Sequence, residues 1–174
     1  MKKHWSIDEI LIKLPLISVK LKAPLIAGKE SRNDAQTMVL VEGLQGIKMG
    51  FKAFNGSFVG ADINRNGELA ANGPKMDSWE TFELFRHPDG KVILRACNGM
   101  FVGAKLNERC QLVADRPYFR GWEKFTLKQL DDGKIAFRAF NNLYVSADLN
   151  RNGEMVADRP EASGWEAFTL TIEA

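Results

Sequence analysis

Two copies of one polar motif are the first feature of the chain that suggests chemistry. Residues 62–68 and 148–154 both read Asp-x-Asn-x-Asn-Gly-Glu. Oxygen ligands at alternate positions around a glycine resemble the start of a calcium loop. The twelfth position, where such a loop needs a glutamate, holds Gly73 in one copy and Arg159 in the other. Because Asp, Asn and Gly also form turns unaided, a plain hairpin turn is the favoured interpretation.

Each copy nevertheless offers a carboxylate, amides and a guanidinium group to a polyol. The residues of these two candidate ligand sites are Asp62, Asn64, Arg65, Asp148, Asn150 and Arg151. The motif predicts either two equivalent weak sites or only a better turn. If they are sites, replacing Asp62 and Asp148 together should abolish binding and leave the melting curve nearly unchanged, because surface turn aspartates contribute little to stability.

A further candidate site lies in a loop where the copies of an internal repeat differ. Arg116, Tyr118 and Phe119 place aromatic rings beside a guanidinium group, which suits sugar stacking or a protein contact. A structural interpretation stands equally open. In it, Tyr118 and Phe119 only cover the N-terminal segment.

The residue types give little support to catalysis. His4 and His87 are the only histidines, neither lies in a nucleophile context, and no metal-ligand cluster is seen. We therefore expect no enzyme activity, no cofactor and no metal. Cys97 stands where the other repeats have phenylalanine, which predicts a buried or half-buried side chain.

Three repeats at a spacing of 43 residues must position these candidates. Each repeat has four short stretches of β-branched and aromatic residues between turn signals, which predicts strands rather than helices. Asn55-Gly56 and its copies predict tight hairpin turns with positive φ at both positions. The sequence thus predicts an all-β fold, a β-trefoil over residues 47–174 built from three four-stranded units.

A tryptophan and a glutamate recur together near the end of each repeat. The residues are Trp79, Trp122, Trp165 and Glu80, Glu123, Glu166. We expect the tryptophans to be core residues, so that Trp122→Ala would cost about 3–5 kcal/mol. The glutamates are expected to cap a turn or to pair, with Arg116 and Arg159 as partners.

The repeats resemble those of the fascin family. Residues 94–127 and 137–170 both show its Asn turn, its Val-Ala-Asp-Arg-Pro segment and its closing Trp-Glu-x-Phe-x-Leu. The resemblance covers residues 47–174 and implies a β-trefoil. The family includes actin-bundling proteins built from several trefoils, and single fascin-like domains appended to carbohydrate-active enzymes.

The resemblance implies a binding domain without catalytic activity. One trefoil lacks the two separated sites that a filament cross-linker needs. The Gln-x-Trp signature of ricin-type lectins is absent, so no sugar pocket is carried over from them. We expect a domain similar to a carbohydrate-binding module, with a protein-interaction domain of the actin-binding kind as the alternative.

Composition and charge narrow the classes further. Of the 174 residues, 45% are hydrophobic and 26% charged, as in an ordinary globular domain. The net charge is +2, and residues 1–46 hold this excess, so the repeats are neutral. Because nucleic-acid binding depends on a basic patch, we expect a glycan or protein partner and no nucleic acid. The oligomeric state stays open.

Residues 1–46 precede the repeats and are expected to form an N-terminal extension. Residues 25–28 and 38–41 align with strands of the first repeat, as a decayed half-repeat would, and a packing arm is the alternative. The apolar stretch from Ile10 to Leu21 must be covered by the trefoil or by another chain. Charges and prolines interrupt the longer apolar stretch from Ile7 to Ile26, so it fits neither a signal peptide nor a membrane span. The default expectation is a soluble, cytoplasmic protein, and an extracellular one would follow if the chain is part of a longer protein.

Overall fold

The protein is seen here in a computed structural model, which describes residues 6–17, 20–21, 38–39, 46–106 and 108–173. Strands dominate these residues, and the described part has one α-helix. The prediction of an all-β fold is confirmed. The elements are α1 (Ile7–Lys13), β1 (Lys20–Leu21), β2 (Met38–Val39), β3 (Ile47–Lys52), β4 (Phe58–Asp62), β5 (Glu68–Gly73), β6 (Phe82–Arg86), β7 (Val92–Arg95), β8 (Phe101–Ala104), β9 (Leu112–Arg116), β10 (Lys124–Gln129), β11 (Ile135–Arg138), β12 (Tyr144–Asp148), β13 (Glu154–Arg159) and β14 (Thr169–Ile172).

Strands β3 to β14 form one antiparallel sheet that closes on itself. β3 pairs with β6 and also with β14, so the last strand lies beside the first strand of the repeats. Further pairings join β6 to β7, β7 to β10 and β10 to β11. Ile135 of β11 and Phe168, just before β14, exchange backbone hydrogen bonds of 3.0 and 2.9 Å. These contacts join all three repeats into one barrel.

The other six strands form three hairpins, β4–β5, β8–β9 and β12–β13. These hairpins also contact one another, because β5 pairs with β9 and with β13. The loop of one hairpin lies against the strand of the next repeat, as where Ala71 N–H donates to Gly153 O and Ala114 N–H donates to Gly67 O, both at 2.8 Å. Side chains from two repeats therefore meet at each hairpin.

The main core is centred on Phe137. Its ring contacts those of Phe51, Phe168 and Phe125, with centroids 5.0, 6.0 and 6.3 Å apart. All four side chains are at most 6% exposed. The rings meet edge to face, the arrangement that aromatic quadrupoles favour.

The asparagines of the β3–β4 turn and its copies act differently from the prediction. Positive φ occurs only at the following residue, with Gly56 at 79°, Gly99 at 77° and Asn142 at 65°. Asn55 instead holds the turn with its side chain, and its amide donates to Ala71 O at 3.2 Å. The prediction of positive φ at both positions is wrong, because five residues separate β3 from β4 rather than two.

The N-terminal segment packs on the barrel through α1. A capping box of Ser6 and Glu9 starts this helix. Ile10 and Leu14 are each 2% exposed and join the main core, and Ile17 is buried in a second cluster. The barrel thus covers part of the apolar stretch. No helix was predicted here, although Ser-x-x-Glu before an apolar run is a helix start signal.

The rest of the extension is only partly described. Residues 38–39 form β2, which pairs with β1, whereas residues 25–28 of the supposed half-repeat lie outside the described residues. The half-repeat and the boundary at residues 46 and 47 therefore stay predictions.

Candidate functional site

A cleft of ≈ 420 Å³ opens where the β12–β13 loop lies against the β4–β5 hairpin. Polar groups from both hairpins line it, together with the indole of Trp79. The charged, amide and indole side chains of the lining include those of Asp62, Arg65, Glu68, Asn72, Trp79, Glu80, Arg151, Asn152 and Glu154. We call this the first-repeat cleft.

Three of the six predicted motif residues line the first-repeat cleft, namely Asp62, Arg65 and Arg151. Asn64 and Asn150 lie in the turns instead, with exposed side chains. The backbone N–H of each donates to the aspartate two residues earlier, at 3.0 and 3.1 Å. Both aspartates therefore cap their turns, as the plain turn interpretation requires.

The carboxylate of the sixth residue, Asp148, forms an ion pair with Arg109 of the second repeat. Arg109 Nη2 lies 2.6 Å from Asp148 Oδ2 and 3.7 Å from Asp158 Oδ2, and Nη1 lies 3.5 Å from Glu154 Oε2. The hydrogen bond from Arg109 lowers the pKa of Asp148 against an opposing effect of desolvation. The same bond raises the pKa of Arg109. Arg109 reaches these carboxylates from a left-handed backbone conformation with φ of 71°.

The two motif copies are therefore not equivalent, which argues against two equal sites, one of the two alternatives that the motif left open. Asp148 is 5% exposed and paired, whereas Asp62 forms no ion pair with any described residue. The prediction that replacing Asp62 and Asp148 leaves the melting curve nearly unchanged assumed two exposed turn aspartates. Asp148 is buried and paired, so that assumption is wrong for it. Sequence reasoning missed Arg109, although its signal was present: at the 43-residue spacing it replaces Asn66 and Asn152.

Phe119 of the other predicted site is buried. It is 2% exposed and packs edge-on against Phe101, with centroids 5.3 Å apart. Their cluster also contains Ile17 of the N-terminal segment. The structural interpretation of Phe119 is therefore the right one, and its ring cannot contact a ligand on the surface.

Tyr118 does lie on the surface, 55% exposed. It borders a hollow of ≈ 580 Å³ with Arg116, Arg120 and Trp122. Arg116 forms an ion pair with Glu123, with Nε 3.9 Å from Oε1. We call this the Tyr118 hollow, and it retains the aromatic and basic character predicted for the loop.

The repeat tryptophans lie at the surface, so the prediction that they are core residues is wrong. Trp79 and Trp165 are half-buried and Trp122 is 43% exposed. Each is the middle residue of a single 3-10 turn that precedes the closing strand. The turn directs the next residue inward instead, and Glu123 and Glu166 are each 4% exposed.

These glutamates cap the turn, as predicted. Glu123 Oε2 accepts the N–H of Arg120 at 2.7 Å, and Glu166 makes the corresponding bond at 3.1 Å. The second oxygen faces an arginine in each case, Arg116 at 3.9 Å and Arg159 at 3.8 Å. The predicted capping and pairing are both confirmed.

Trp79 differs from Trp122 in what covers its ring. Trp122 stacks on Phe140, with centroids 5.4 Å apart and planes at 26°. The residue corresponding to Phe140 in the preceding repeat is Cys97. Cys97 is exposed, so the prediction of a buried or half-buried side chain is wrong, and its counterpart Phe54 is also exposed, at 61%. No ring of a described residue stacks on Trp79.

His87 contacts the ion pair of Asp89 and Lys124, away from the lining of the first-repeat cleft. Its Nδ1 lies 2.8 Å from Asp89 Oδ1, and Lys124 Nζ lies 3.0 Å from Asp89 Oδ2. Desolvation raises the pKa of Asp89, but hydrogen bonds from the Lys91 N–H, Lys124 and His87 outweigh it and lower the pKa to about 2. These contacts tie the β6–β7 turn to β10.

The described residues show neither a metal site nor a membrane-spanning helix. Within them, no group of three or more His, Cys, Asp or Glu side chains is arranged to hold a metal ion. None of their helices has the length and apolar character needed to cross a membrane.

Residues 13–127 match the fascin domain. This chain belongs to the fascin family. The match starts within the N-terminal segment, ahead of β3, and ends in β10. The resemblance predicted from the repeats is confirmed.

Solved structures similar to this fascin-family chain include a designed β-trefoil. ThreeFoil, a designed threefold-symmetric protein, has a TM-score of 0.64 at 10% identity, over 73% of this chain and 99% of its own. SeviL, solved bound to asialo-GM1 saccharide, has 0.60 at 16% identity, over 74% and 98%. The GlcNAcα1-4Gal-releasing endo-β-galactosidase from Clostridium perfringens has 0.63 at 10% identity, over 74% of this chain and only 33% of the enzyme. At these identities the likeness shows the fold alone. A search of curated proteins found no match.

Proposed function

We propose that this fascin-family chain is a non-catalytic carbohydrate-binding domain whose site is the first-repeat cleft. Its scaffold in this proposal is a β-trefoil of three 43-residue, four-stranded units over residues 47–174, preceded by an N-terminal extension at 1–46. The cleft would hold a saccharide through ring stacking and hydrogen bonds, without a cofactor or a reaction.

The observation that carries the proposal is the half-buried indole of Trp79, which lines a polar cleft. Sugar rings present C–H groups on a face and hydroxyl groups at the edge, so a site needs a flat apolar surface beside hydrogen-bonding groups. Trp79 supplies the surface, because no ring of a described residue covers it. The volume of ≈ 420 Å³ lies in the range of small-molecule sites.

Polar groups for the hydroxyls lie around the indole. Asp62 Oδ1 is used by the N–H of Asn64, and the described residues offer no partner to Oδ2, which leaves an acceptor. Asn72 and Asn152 are exposed and offer amides that both donate and accept. Arg151 adds a donor at the edge of the cleft. Such a mixed set suits a polyol better than a purely apolar ligand.

The fold gives general support to this proposal. SeviL was solved with a saccharide bound, and the endo-β-galactosidase acts on a glycan. Both share only the fold with this chain, so they support a binding role and say nothing about which residues bind.

A protein-interaction role of the actin-binding kind is the second candidate, and the Tyr118 hollow favours it. An exposed tyrosine and tryptophan beside arginines have the composition of interface hot spots. On α1, Ile12 is 75% exposed, which adds apolar surface of the kind a partner could cover.

Screening on a glycan array, followed by calorimetric titration with the best saccharide, tests the carbohydrate proposal. Trp79→Ala should weaken binding about tenfold, because one aromatic stacking contact is worth about 0.5–1.5 kcal/mol beyond area burial. Tyr118→Ala is the matched control at the other hollow and should bind as the unchanged protein does.

The reverse pattern, with loss in Tyr118→Ala alone, would move the site to the Tyr118 hollow. Absence of any glycan binding, together with co-sedimentation with actin filaments, would favour the protein-interaction role. Melting curves of both variants separate lost binding from lost folding.

A further inference from the structure

The three repeats provide three versions of one hairpin site, and their comparison shows what the first version lacks. Two sets of positions correspond at the 43-residue spacing: Asp62, Lys105, Asp148 and Asn66, Arg109, Asn152. The loop of each hairpin lies against the next repeat. Each residue of the first set (Asp62, Lys105, Asp148) therefore belongs to the site of its own repeat. Each residue of the second set (Asn66, Arg109, Asn152) lies at the site of the next repeat.

In two versions the chain provides its own cation. At the third-repeat site, Arg109 lies 2.6 Å from Asp148 and 3.5 Å from Glu154. At the second-repeat site, Lys105 takes the place of the aspartate, and its Nζ lies 3.5 Å from Asp115. Both sites hold a positive group of the protein beside carboxylates.

At the first-repeat site, Asn152 stands in the place of Arg109. Its backbone has the same left-handed conformation, with φ of 56° against 71° for Arg109. The neighbouring Gly153 O accepts the N–H of Ala71, which fixes the loop against the first repeat. The amide of Asn152 is much shorter than a guanidinium side chain, and the first-repeat cleft opens at this point.

The charges around this opening favour a cation. The lining includes four carboxylates and two guanidinium groups, from Asp62, Glu68, Glu80, Glu154, Arg65 and Arg151. Glu154 is already paired with Arg109 at 3.5 Å, so three carboxylates face the two guanidinium groups. At the rim of the cleft, Arg65 Nε lies 3.2 Å from Glu68 Oε2, and the Arg65 side chain is 69% exposed. Asp62 has no ion-pair partner among the described residues. Its carboxylate corresponds to that of Asp148, which holds the guanidinium of Arg109 in the third repeat.

We propose that the first-repeat cleft selects glycans that carry a free amino group, with the ammonium beside Asp62 in the place that Arg109 takes beside Asp148. The sugar ring then lies against Trp79, and its hydroxyls contact Asn72 and Asn152. This inference rests on the proposed carbohydrate function and adds the substrate class, an amino sugar.

The test is calorimetric titration with two probes that differ only at nitrogen, an oligomer of β-1,4-linked glucosamine and its fully N-acetylated counterpart. At a pH where the amines are protonated, the unchanged protein should bind the glucosamine oligomer about ten- to a hundredfold more tightly, as expected for one charge-assisted hydrogen bond. Asp62→Asn should reduce that preference to about twofold or less.

Asn152→Arg places a guanidinium beside Asp62, as Arg109 places one beside Asp148. This variant should lose binding, while its melting temperature stays the same or rises. Its matched control is Asn66→Arg, which has the same left-handed backbone with φ of 56° but faces the second repeat. The control should bind as the unchanged protein does. If Asn152→Arg fails to fold, Asp62→Asn decides alone, since Asp62 is only part of a surface turn.

Equal binding of both oligomers, unaffected by Asp62→Asn, overturns the amino-sugar inference and leaves the carbohydrate function standing. Binding of neither oligomer or any other saccharide overturns both. Binding of argininamide alone, lost in Asn152→Arg, overturns the amino-sugar inference in favour of a peptide ligand. A preference for the glucosamine oligomer that disappears in both Asp62→Asn and Asn152→Arg, but not in Asn66→Arg, supports it.

Discussion

The buried glutamate of the second and third repeats, rather than the tryptophan before it, should carry the stability of the closing turn. Glu123 is the clearest case. It is 4% exposed, and its Oε2 accepts the N–H of Arg120 at 2.7 Å. Its other oxygen approaches Gly103 so closely that a β-carbon added there would lie 3.1 Å from it. Glu123→Ala therefore removes an acceptor from a partly buried donor and leaves a space beneath the turn.

The magnitude follows from these contacts. A hydrogen bond to a charged group contributes about 1.5–3 kcal/mol, and each buried methylene group about 0.8 kcal/mol. We expect Glu123→Ala to cost about 3 kcal/mol, or about 6–12 °C in melting temperature for a chain of this size. Glu123→Gln keeps the shape and an oxygen acceptor, so it should cost about 1 kcal/mol.

Urea denaturation followed by circular dichroism, with a thermal melt as a second readout, measures both variants. A loss below about 1 kcal/mol in Glu123→Ala would show that solvent reaches the turn and that the cap contributes little. Equal losses in the alanine and glutamine variants would show that the charge, and not the hydrogen-bond geometry, is what matters.

Three further predictions concern stability. Trp122→Ala should cost about 2 kcal/mol in urea denaturation, below the about 3–5 kcal/mol of a core aromatic, since the ring is 43% exposed; a loss of 4 kcal/mol or more would contradict its surface position. Cys97→Phe should stabilise the fold by about 0.5–1 kcal/mol by giving Trp79 the stacking partner that Trp122 has in Phe140, and a destabilised variant would refute this. The folded pKa of Asp89 is about 2, below its ordinary value of 3.8, so its contribution is present above about pH 4 and is lost as the pH falls through 2. Because this carboxylate is 37% exposed, the contribution is about 1 kcal/mol after solvent screening, and Asp89→Asn should flatten acid unfolding curves in that window.

The repeated part of the fold could be predicted because its signals are repeated. Four strands per unit follow from apolar stretches between turn residues, and the same pattern occurs three times. Helix α1 had a signal of its own in Ser6 and Glu9, but this signal lies outside the repeats and occurs without a copy in them.

The orientation of side chains at the turns could not be predicted in the same way. Trp122 and Glu123 are adjacent, and residue type alone favours the tryptophan as the buried one. The 3-10 turn reverses this, since it buries the glutamate under its own backbone N–H groups. Phe119 was ambiguous for a similar reason, because a loop has no alternation from which its direction follows.

The candidate site was predicted in part. Asp62 and Arg65 were identified from their motif, and both line the first-repeat cleft. Trp79 was assigned to the core. The difference between Asp148, which is paired with Arg109, and Asp62, which has no ion-pair partner among the described residues, was not predicted. That difference depends on an arginine with a left-handed backbone, which residue types alone do not reveal.

Nuclear magnetic resonance of the tryptophan indole N–H groups tests the central claim most directly. A saccharide identified on the array is titrated into ¹⁵N-labelled protein, with resonances assigned by single Trp→Phe variants. Binding in the first-repeat cleft predicts a saturable shift of the Trp79 indole, accompanied by the side-chain amides of Asn72 and Asn152, while the indoles of Trp122 and Trp165 stay in place. A shift of Trp122 with an unmoved Trp79 would contradict this and place the ligand at the Tyr118 hollow.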